Sequence, residues 1–291
     1  MYKTLLTDLT DHILTVTINR PDKLNALNAT VIAELGEVVS EIYDNKEIRS
    51  AIITGAGPKA FVAGADISEF QGLTKEEGQA LAAKGGDIFF RIASSPKPIA
   101  AAVNGFALGG GCELAMACHF RLCTKTARFG QPEVNLGLIP GYGGTQRLTQ
   151  LIGKGRALEI MLSARMVEAT EAHVMGLVNY IVEEADELLF KTRELLSIIN
   201  EKAPLAIARI IECANIAAGD GVAFSDSGVS AAWEADPFGG DSKDSEAADG
   251  TRTLNGFIRE QQAFGECFAT EDMQEGAAAF LAKRKAQFRG V

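Results

Sequence analysis

The hydrophobic residues near the start of the chain change their period once, which predicts a strand followed by a helix. Residues 13–18 (ILTVTI) alternate with a period of two, and the polar NRPDK after them ends the strand. One face of this strand is formed by Leu14, Val16 and Ile18. Over residues 28–43 the apolar side chains instead recur at helical spacing, and Asn28 is placed to cap that helix.

Short apolar runs continue this alternation to about residue 183. Strands are predicted at SAIITG (50–55), PIAAAVNG (98–105) and FRLCT (120–124), and each run is bounded by Gly, Pro or polar residues. Helices are predicted near 76–93 and 111–117. Alternating strands and helices over residues 1–183 indicate an α/β core.

The pattern after about residue 186 is helical, with helices predicted at 186–200, 204–218, 253–267 and 271–286. This predicts a second, helical region over residues 186–291. Residues 220–251 interrupt it with many Gly, Ser and Asp residues, which is typical of an exposed, partly mobile excursion. The excursion is not expected to bind calcium, because Ala248 stands where a loop counted from Asp244 needs an oxygen ligand.

Composition narrows the class of protein. The 291 residues are 47% hydrophobic and 23% charged, as in ordinary globular proteins, and the net charge of −10 disfavours a general nucleic-acid binder. No run approaches the roughly 18 apolar residues of a membrane span, and MYKTLLTDLTDH lacks the basic and apolar regions of a signal peptide. We therefore expect a cytoplasmic protein that does not enter the membrane.

Cysteine and histidine usage argues against disulfides and metals. The five cysteines are an odd number at no metal-ligand spacing, which favours free thiols in a reducing compartment. The three histidines are not adjacent, so no metal site is expected.

Three glycine-rich stretches are candidates for ligand binding. GAGPKA (55–60) matches a dinucleotide fingerprint in letters only, because Pro58 lies inside it and no helical pattern follows. NGFALGGGCELAMAC (104–118) places three glycines before a helix, where bare N–H groups can meet an oxygen atom or where the chain simply turns tightly. FVAGADI (61–67) is taken alone as a loop.

Two glutamates stand out beside these glycines. Glu133 lies in FGQPEVNLGLIPGYGG (129–144), a segment stiffened by two prolines, and Glu113 lies at the start of the predicted helix. Each has a structural alternative: Glu113 complements the helix dipole, or Glu133 pairs with Arg128 or Arg147. Cys112 is expected to be a small packed residue, since no histidine base is evident beside it.

Taken together, the chain resembles the enoyl-CoA hydratase/isomerase (crotonase) family, and most of all its short-chain enoyl-CoA hydratases. The resemblance rests on NRPDKLNALN (19–28), AFVAGADI (60–67), NGFALGGGCELAMACHFRL (104–122), FGQPEVNLGLIPGYGGTQRL (129–148) and AFGECFATEDMQEGAAAFLAKRKAQF (263–288). It covers nearly the whole chain apart from the acidic excursion.

The resemblance implies an α/β fold in which repeated strand-strand-helix (ββα) units wind into a spiral core. That core, with the CoA site and the catalytic glutamates, is expected at residues 1–185. Residues 186–291 are then the helical region through which such proteins form homotrimers, often paired as homohexamers. The excursion at 220–251 departs from the family pattern.

The resemblance also implies an acyl-CoA thioester substrate and a specific site. The backbone N–H groups of Ala65 and Gly110 would form an oxyanion hole, Glu113 would activate water, and Glu133 would protonate C2. Two fixed N–H donors stabilise an enolate more than its ground state, and one ionised and one protonated carboxyl perform the two proton transfers. Hydration of a 2-enoyl-CoA is therefore predicted, without a cofactor or metal.

Further site residues and alternatives follow from the same resemblance. Ala65, Asp66, Ile67 and Ser68 would frame the CoA, Lys23 or Lys283 would approach its phosphates, and residues 70–92 would border the acyl group. The alternatives are an isomerase or a hydratase of branched or cyclic enoyl-CoA, and, in another class, a non-catalytic or RNA-binding assembly subunit. Both glutamates and the acidic charge favour hydration.

Overall fold

The computed structural model of the protein describes residues 2–70, 72, 74–219, 224–225, 228–229 and 270–291. Within it the chain forms two compact units. The first comprises Met1–Ala93 and Pro98–Ile199, and the second comprises Ser94–Lys97 and Asn200–Val291. The helix predicted at 253–267 and nearly all of the 220–251 excursion lie outside the described residues.

Strands and helices alternate through most of the first unit, and further helices and two short strands lie in the second. In chain order the strands are β1 (Leu5–Thr10), β2 (Ile13–Ile18), β3 (Ser50–Gly55), β4 (Ala60–Val62), β5 (Ile99–Val103), β6 (Phe106–Leu108), β7 (Phe120–Thr124), β8 (Arg128–Gly130), β9 (Val167–Glu168), β10 (Tyr180–Val182), β11 (Phe224–Ser225) and β12 (Gly228–Val229). The α-helices are α1 (Ala29–Asp44), α2 (Lys75–Ala93), α3 (Gly110–Ala117), α4 (Gly144–Ile152), α5 (Lys154–Ser163), α6 (Ala169–Val174), α7 (Glu187–Asn200), α8 (Pro204–Ala218) and α9 (Glu271–Leu281). Short 3-10 helices lie at Pro21–Lys23, Ile67–Glu69 and Glu133–Leu136.

The repeat predicted from the resemblance is present. The strand-strand-helix units β3-β4-α2, β5-β6-α3 and β7-β8-α4 place their first strand in a six-stranded sheet, ordered β1-β2-β3-β5-β7-β10, and their second strand in a four-stranded sheet, ordered β4-β6-β8-β9. The β1-β2-α1 segment before them has both strands in the six-stranded sheet. In the larger sheet only β1 runs antiparallel to its neighbour. This is the crotonase-like α/β spiral expected from the sequence.

Helix α1 shows why the local pattern was informative. The Asn28 side chain accepts a 2.9 Å hydrogen bond from the N–H of Val31, as an N-cap should. The apolar stripe of the helix is buried in the main core: Val31, Ile32, Leu35, Val38, Val39 and Ile42. Full burial of such side chains contributes about 1.5–3 kcal/mol each.

Strand β2 is buried on both faces, whereas the alternating pattern of its sequence predicts that only one face is buried. Leu14, Val16 and Ile18 face the main core as expected. The other face is covered by helix α7, since Ile13 packs in a second cluster with Leu188 and Leu196 of that helix. Helix α7 therefore packs within the first unit. The division predicted at residues 185/186, between the core that carries the site and the region for assembly, stays a prediction.

The second unit includes helices α8 and α9. The predicted helix at 271–286 ends at Leu281, and Lys283 beyond it has a left-handed backbone (φ 51°). The carboxylate of Asp272 accepts hydrogen bonds from the N–H groups of Arg289 and Gly290, which tie the C-terminal segment back to α9. Among the described helices, none is long and apolar enough to span a membrane.

Candidate active site

The smaller sheet brings three of the predicted site residues to one edge. Strands β4, β6 and β8 are parallel neighbours, so their carboxyl ends lie side by side. Ala65 follows β4, Gly110 follows β6 and Glu133 follows β8. Glu113 joins them because it lies in the first turn of α3, directly after β6.

These four residues line one cavity of about 700 Å³. Its wall from the 70–92 region comes from Phe70, Thr74, Lys75, Gly78, Leu81 and Ala82, as predicted for that segment. The cavity is also lined by Leu136, Leu138, Ile139 and Tyr142. Its lining thus combines apolar side chains with two carboxyl groups.

Gly109 shows why this edge requires glycine. Its φ of 51° is left-handed, and a side-chain carbon there would lie 2.7 Å from Oε1 of Glu133. Helix α3 begins directly after it, which leaves the N–H of Gly110 as a first-turn donor. Within the described residues, no protein acceptor binds the N–H of Gly110 or of Ala65.

The Ala65 turn is held by the loop before α1. Leu27 donates its N–H to the carbonyl of Gly64 (2.9 Å), and Asp66 donates its N–H to the carbonyl of Leu27 (2.7 Å). Ala65 lies between these two bonds, so its own N–H stays available to a ligand in the cavity.

The carboxylate of Asp66 is bound inside this turn. It accepts hydrogen bonds from Ser68 Oγ (2.7 Å) and Arg20 Nη2 (3.0 Å), which lower the pKa of Asp66. Arg20 also donates through Nη1 to the carbonyl of Ala26 (2.5 Å). Ile67 lines the cavity and is exposed, whereas Asp66 and Ser68 do not line it, and their contact with CoA stays a prediction.

Glu113 is buried (1% exposed), and one of its oxygens is fixed. Oε1 accepts hydrogen bonds from the N–H groups of Tyr142 and Gly144, both at 2.7 Å. These groups start helix α4, whose N-cap Gly143 has no side chain to offer. Glu113 therefore caps α4 as well as lying in the first turn of its own helix, and in the described part of the chain Oε2 accepts no hydrogen bond.

The pKa of Glu113 is set by opposing effects. Burial raises the pKa to about 7, and the nearby carboxyl of Glu133 raises it as well. The two N–H donors and the positive charge of Arg147 act in the opposite direction. A carboxyl with a pKa near neutrality is suited to proton transfer.

Glu133 is half-buried at the start of its 3-10 helix, and burial raises its pKa. With its amide oriented to match its neighbours, Gln131 donates to both Glu133 oxygens, at 3.1 and 3.2 Å. The alternative of an ion pair is wrong: Arg128 binds Glu168 at 2.9 Å, and Arg147 binds the carbonyl of Tyr142 at 2.8 Å.

Other predictions have mixed outcomes. Cys112 is a buried thiol whose pKa burial raises to about 12, so it is a packed residue as expected. The GAGPKA segment connects β3 to strand β4 rather than to a helix, so the strand-turn-helix context of a dinucleotide site is absent there. Lys23 is exposed and does not line the cavity, and Lys283 lies in the second unit, so their CoA contacts stay predictions.

Some groups of the site were not predicted from the sequence. The N–H groups of Tyr142 and Gly144 lie in GYGG, to which no role was assigned from the sequence. No motif in the sequence marked Gln131 or Lys75 as a residue of the site. No group of three or more His, Cys, Asp or Glu side chains in the described residues is arranged to hold a metal ion.

Comparison with known proteins agrees with this geometry. A family model described as enoyl-CoA hydratase/isomerase matches residues 8–220. The chain is 42% identical to a short-chain-enoyl-CoA hydratase of Clostridium acetobutylicum over 93% of this chain and 91% of that protein. It is 40% identical to a crotonyl-CoA hydratase of Syntrophomonas wolfei over 99% and 98% of the two chains. A crystal structure of enoyl-CoA hydratase from Bacillus anthracis superposes with a TM-score of 0.83, at 32% identity and coverage of 99% and 100%.

Proposed function

The chain belongs to the enoyl-CoA hydratase/isomerase family, and we propose that it reversibly adds water across the 2,3 double bond of a 2-enoyl-CoA to give a 3-hydroxyacyl-CoA. The observation that carries this proposal is the presence of two carboxyl groups and two unpaired backbone N–H donors in one cavity. Glu113 and Glu133 supply the carboxyls, and Ala65 and Gly110 supply the donors.

The N–H pair is proposed to bind the thioester oxygen. When water adds at C3, negative charge moves onto that oxygen as an enolate, so donors aimed there stabilise the transition state more than the substrate. One such donor is worth about 3 kcal/mol. The position of Gly110 at the start of α3 adds the positive end of the helix dipole.

The two glutamates are proposed to share the proton transfers. Glu113 takes the proton from the attacking water through Oε2, since Oε1 is already bound by two N–H groups. Glu133, whose pKa is raised by burial, delivers a proton to C2. After turnover each carboxyl has the opposite protonation state, and exchange with water restores the starting pair. The reaction requires no metal or redox cofactor.

We propose a short-chain substrate. The names of the two relatives, short-chain-enoyl-CoA hydratase and crotonyl-CoA hydratase, support this choice. The apolar side chains of Leu81, Leu136, Leu138 and Ile139 in the cavity lining provide a surface for an alkyl group. A homotrimeric or homohexameric assembly and a cytoplasmic location remain part of the proposal on the strength of the resemblance.

The test of this function is direct. Purified protein is expected to reduce the ultraviolet absorbance of crotonyl-CoA, because hydration destroys the conjugation between the double bond and the thioester. Chromatography should identify 3-hydroxybutyryl-CoA as the product. Unchanged absorbance with short- and medium-chain enoyl-CoA substrates would show that the proposal is wrong.

A further prediction concerns the turn that carries Ala65. Asp66→Ala is expected to lower kcat about 10-fold, because the carboxylate that binds Arg20 and Ser68 no longer holds this turn. The partly exposed ion pair itself is worth only about 1 kcal/mol, so the fold should persist. Asp22→Ala, in the exposed 3-10 helix nearby, is the matched control. Equal kcat values in both variants would contradict a role of Asp66 in holding the turn.

A further inference from the structure

The turn that binds Glu113 is itself held by one arginine. Arg147 is buried (9% exposed) in the first turn of α4, and its Nη1 donates a 2.8 Å hydrogen bond to the carbonyl of Tyr142. Its backbone N–H donates to the carbonyl of Gly143 (2.9 Å). One residue thus holds two successive carbonyls of this turn.

The same turn presents its N–H groups to Glu113. The N–H of Tyr142 donates to Oε1 of Glu113, while the carbonyl of Tyr142 accepts from Nη1 of Arg147. Gly143 leaves room for this arrangement, because a side-chain carbon there would lie 2.5 Å from Nη1 of Arg147. The guanidinium therefore lies directly against the backbone that orients the carboxylate.

We propose that Arg147 is a positioning residue for Glu113: it fixes the Tyr142–Gly144 turn, and through that turn the orientation of the carboxylate that activates water. The inference rests on the proposed function in treating Glu113 as the base. Arg147 does not touch the reacting atoms, so its effect reaches the reaction through Glu113.

The charge of Arg147 adds a second effect with a defined sign. The ionisable groups that interact with Glu113 are Glu133 after β8, Arg147 on α4, Tyr142 before α4 and Cys112 beside it on α3, and Lys75 of α2 lines the same cavity. Of these, Arg147 stabilises the ionised form of Glu113, and Glu133 destabilises it. Removing the positive charge must therefore raise the pH at which Glu113 ionises.

The experiment measures ionisation of Glu113 with and without Arg147. The infrared absorption of the protonated Glu113 carboxyl is identified as the band that is lost in Glu113→Gln, and it is titrated from about pH 5 to 9. In Arg147→Met the band should persist to a pH higher by about 0.5 or more. The acid limb of the kcat/KM profile for crotonyl-CoA should shift to higher pH by the same amount. The loss of kcat/KM relative to the wild type should therefore be larger at low pH than at high pH, by a factor of about 3 or more.

Three variants separate charge, hydrogen bonding and nonspecific damage. Arg147→Lys keeps the charge, so the titration should stay near that of the wild type while kcat falls because the turn is held less firmly. Arg147→Gln keeps a donor for the Tyr142 carbonyl without the charge and should show the upward shift even if Arg147→Met does not fold. Arg156→Met, which removes an exposed arginine of α5, should match the wild type.

The outcomes distinguish this inference from the proposed function. A Glu113 band that titrates at the wild-type pH in both Arg147→Met and Arg147→Gln overturns the inference, whatever the activity. Equal losses of kcat/KM at every pH in Arg147→Met and Arg147→Gln would also overturn it, since losses without a shift in these uncharged variants indicate structural damage alone. Absence of hydration by the wild type would refute the proposed function, while the infrared titration would still decide the role of Arg147.

Discussion

Glu133→Gln is expected to lower kcat for crotonyl-CoA hydration by at least about 100-fold, because glutamine cannot deliver a proton to C2. KM should change much less, since the amide occupies the same space and the N–H donors of Ala65 and Gly110 remain. The fold should persist, because Glu133 lies half-buried at the cavity wall and no ion pair holds it in the described part of the chain.

Glu168→Gln is the matched control for this prediction. Glu168 is a glutamate that binds Arg128 at the surface of the same small sheet and does not line the cavity. Its replacement should leave kcat within about 2-fold of the wild type, as for a surface ion pair. Near-normal turnover in Glu133→Gln would refute its assignment as the acid, and a comparable loss in Glu168→Gln would mean that the assay reports damage to the sheet.

Glu113→Gln is expected to lower kcat by a similar factor of at least about 100, because the amide cannot accept a proton from water. The helix start should survive, since the amide oxygen of glutamine can still accept hydrogen bonds from the N–H groups of Tyr142 and Gly144. Circular dichroism of the variant should match the wild type. A rate near that of the wild type would show that another group activates the water.

The same variant should be more stable than the wild type above neutral pH. Burial raises the pKa of Glu113 from 4.5 to about 7, so the folded protein holds a proton that the unfolded chain releases between these values. The stabilisation from this proton is complete below pH 4.5 and is lost as the pH rises through about 7. Glu113→Gln has no such dependence, so its free energy of unfolding should exceed that of the wild type by up to about 3 kcal/mol at high pH.

Unfolding by denaturant at several pH values measures this difference. The gap between Glu113→Gln and the wild type should be near zero at low pH and should grow across the window from 4.5 to about 7. Equal stability of the two proteins at high pH would contradict a buried Glu113 whose ionisation is costly. The two proteins must be compared at one concentration, since any self-association would add to the stability of the folded state.

The sequence predicted those elements in which a long local pattern determines the structure. Helix α1 has six buried apolar residues at helical spacing and an asparagine cap, so its bounds were correct to within a residue. Strands β4, β6 and β8 have three residues each, which is too short for any period to show. These strands orient the site, and they form because the neighbouring chain segments pair with them.

The site residues also divide into those that a sequence motif marks and those that only the folded chain reveals. Ala65, Gly110, Glu113 and Glu133 were predicted because motifs resembling a known family contain them, and the structure places all four on one cavity. The N–H groups that bind Glu113 lie 29 and 31 residues away along the chain, and a backbone N–H is common to every residue type except proline. No residue type marks such a contact, so only the folded chain reveals it. The proposed role of Arg147 was not predicted for the same reason, because its partner is a backbone carbonyl. From the sequence, Arg147 was considered only as a partner of Glu133.

The central claim is that Glu113 and Glu133 together add water to the double bond. The most direct test compares wild type, Glu113→Gln and Glu133→Gln in water labelled in its oxygen, and mass spectrometry follows incorporation of the label at C3 of the product from crotonyl-CoA. We expect rapid incorporation by the wild type and rates lower by about 100-fold or more in both variants. Incorporation by either variant at a rate close to that of the wild type would contradict a joint role of Glu113 and Glu133.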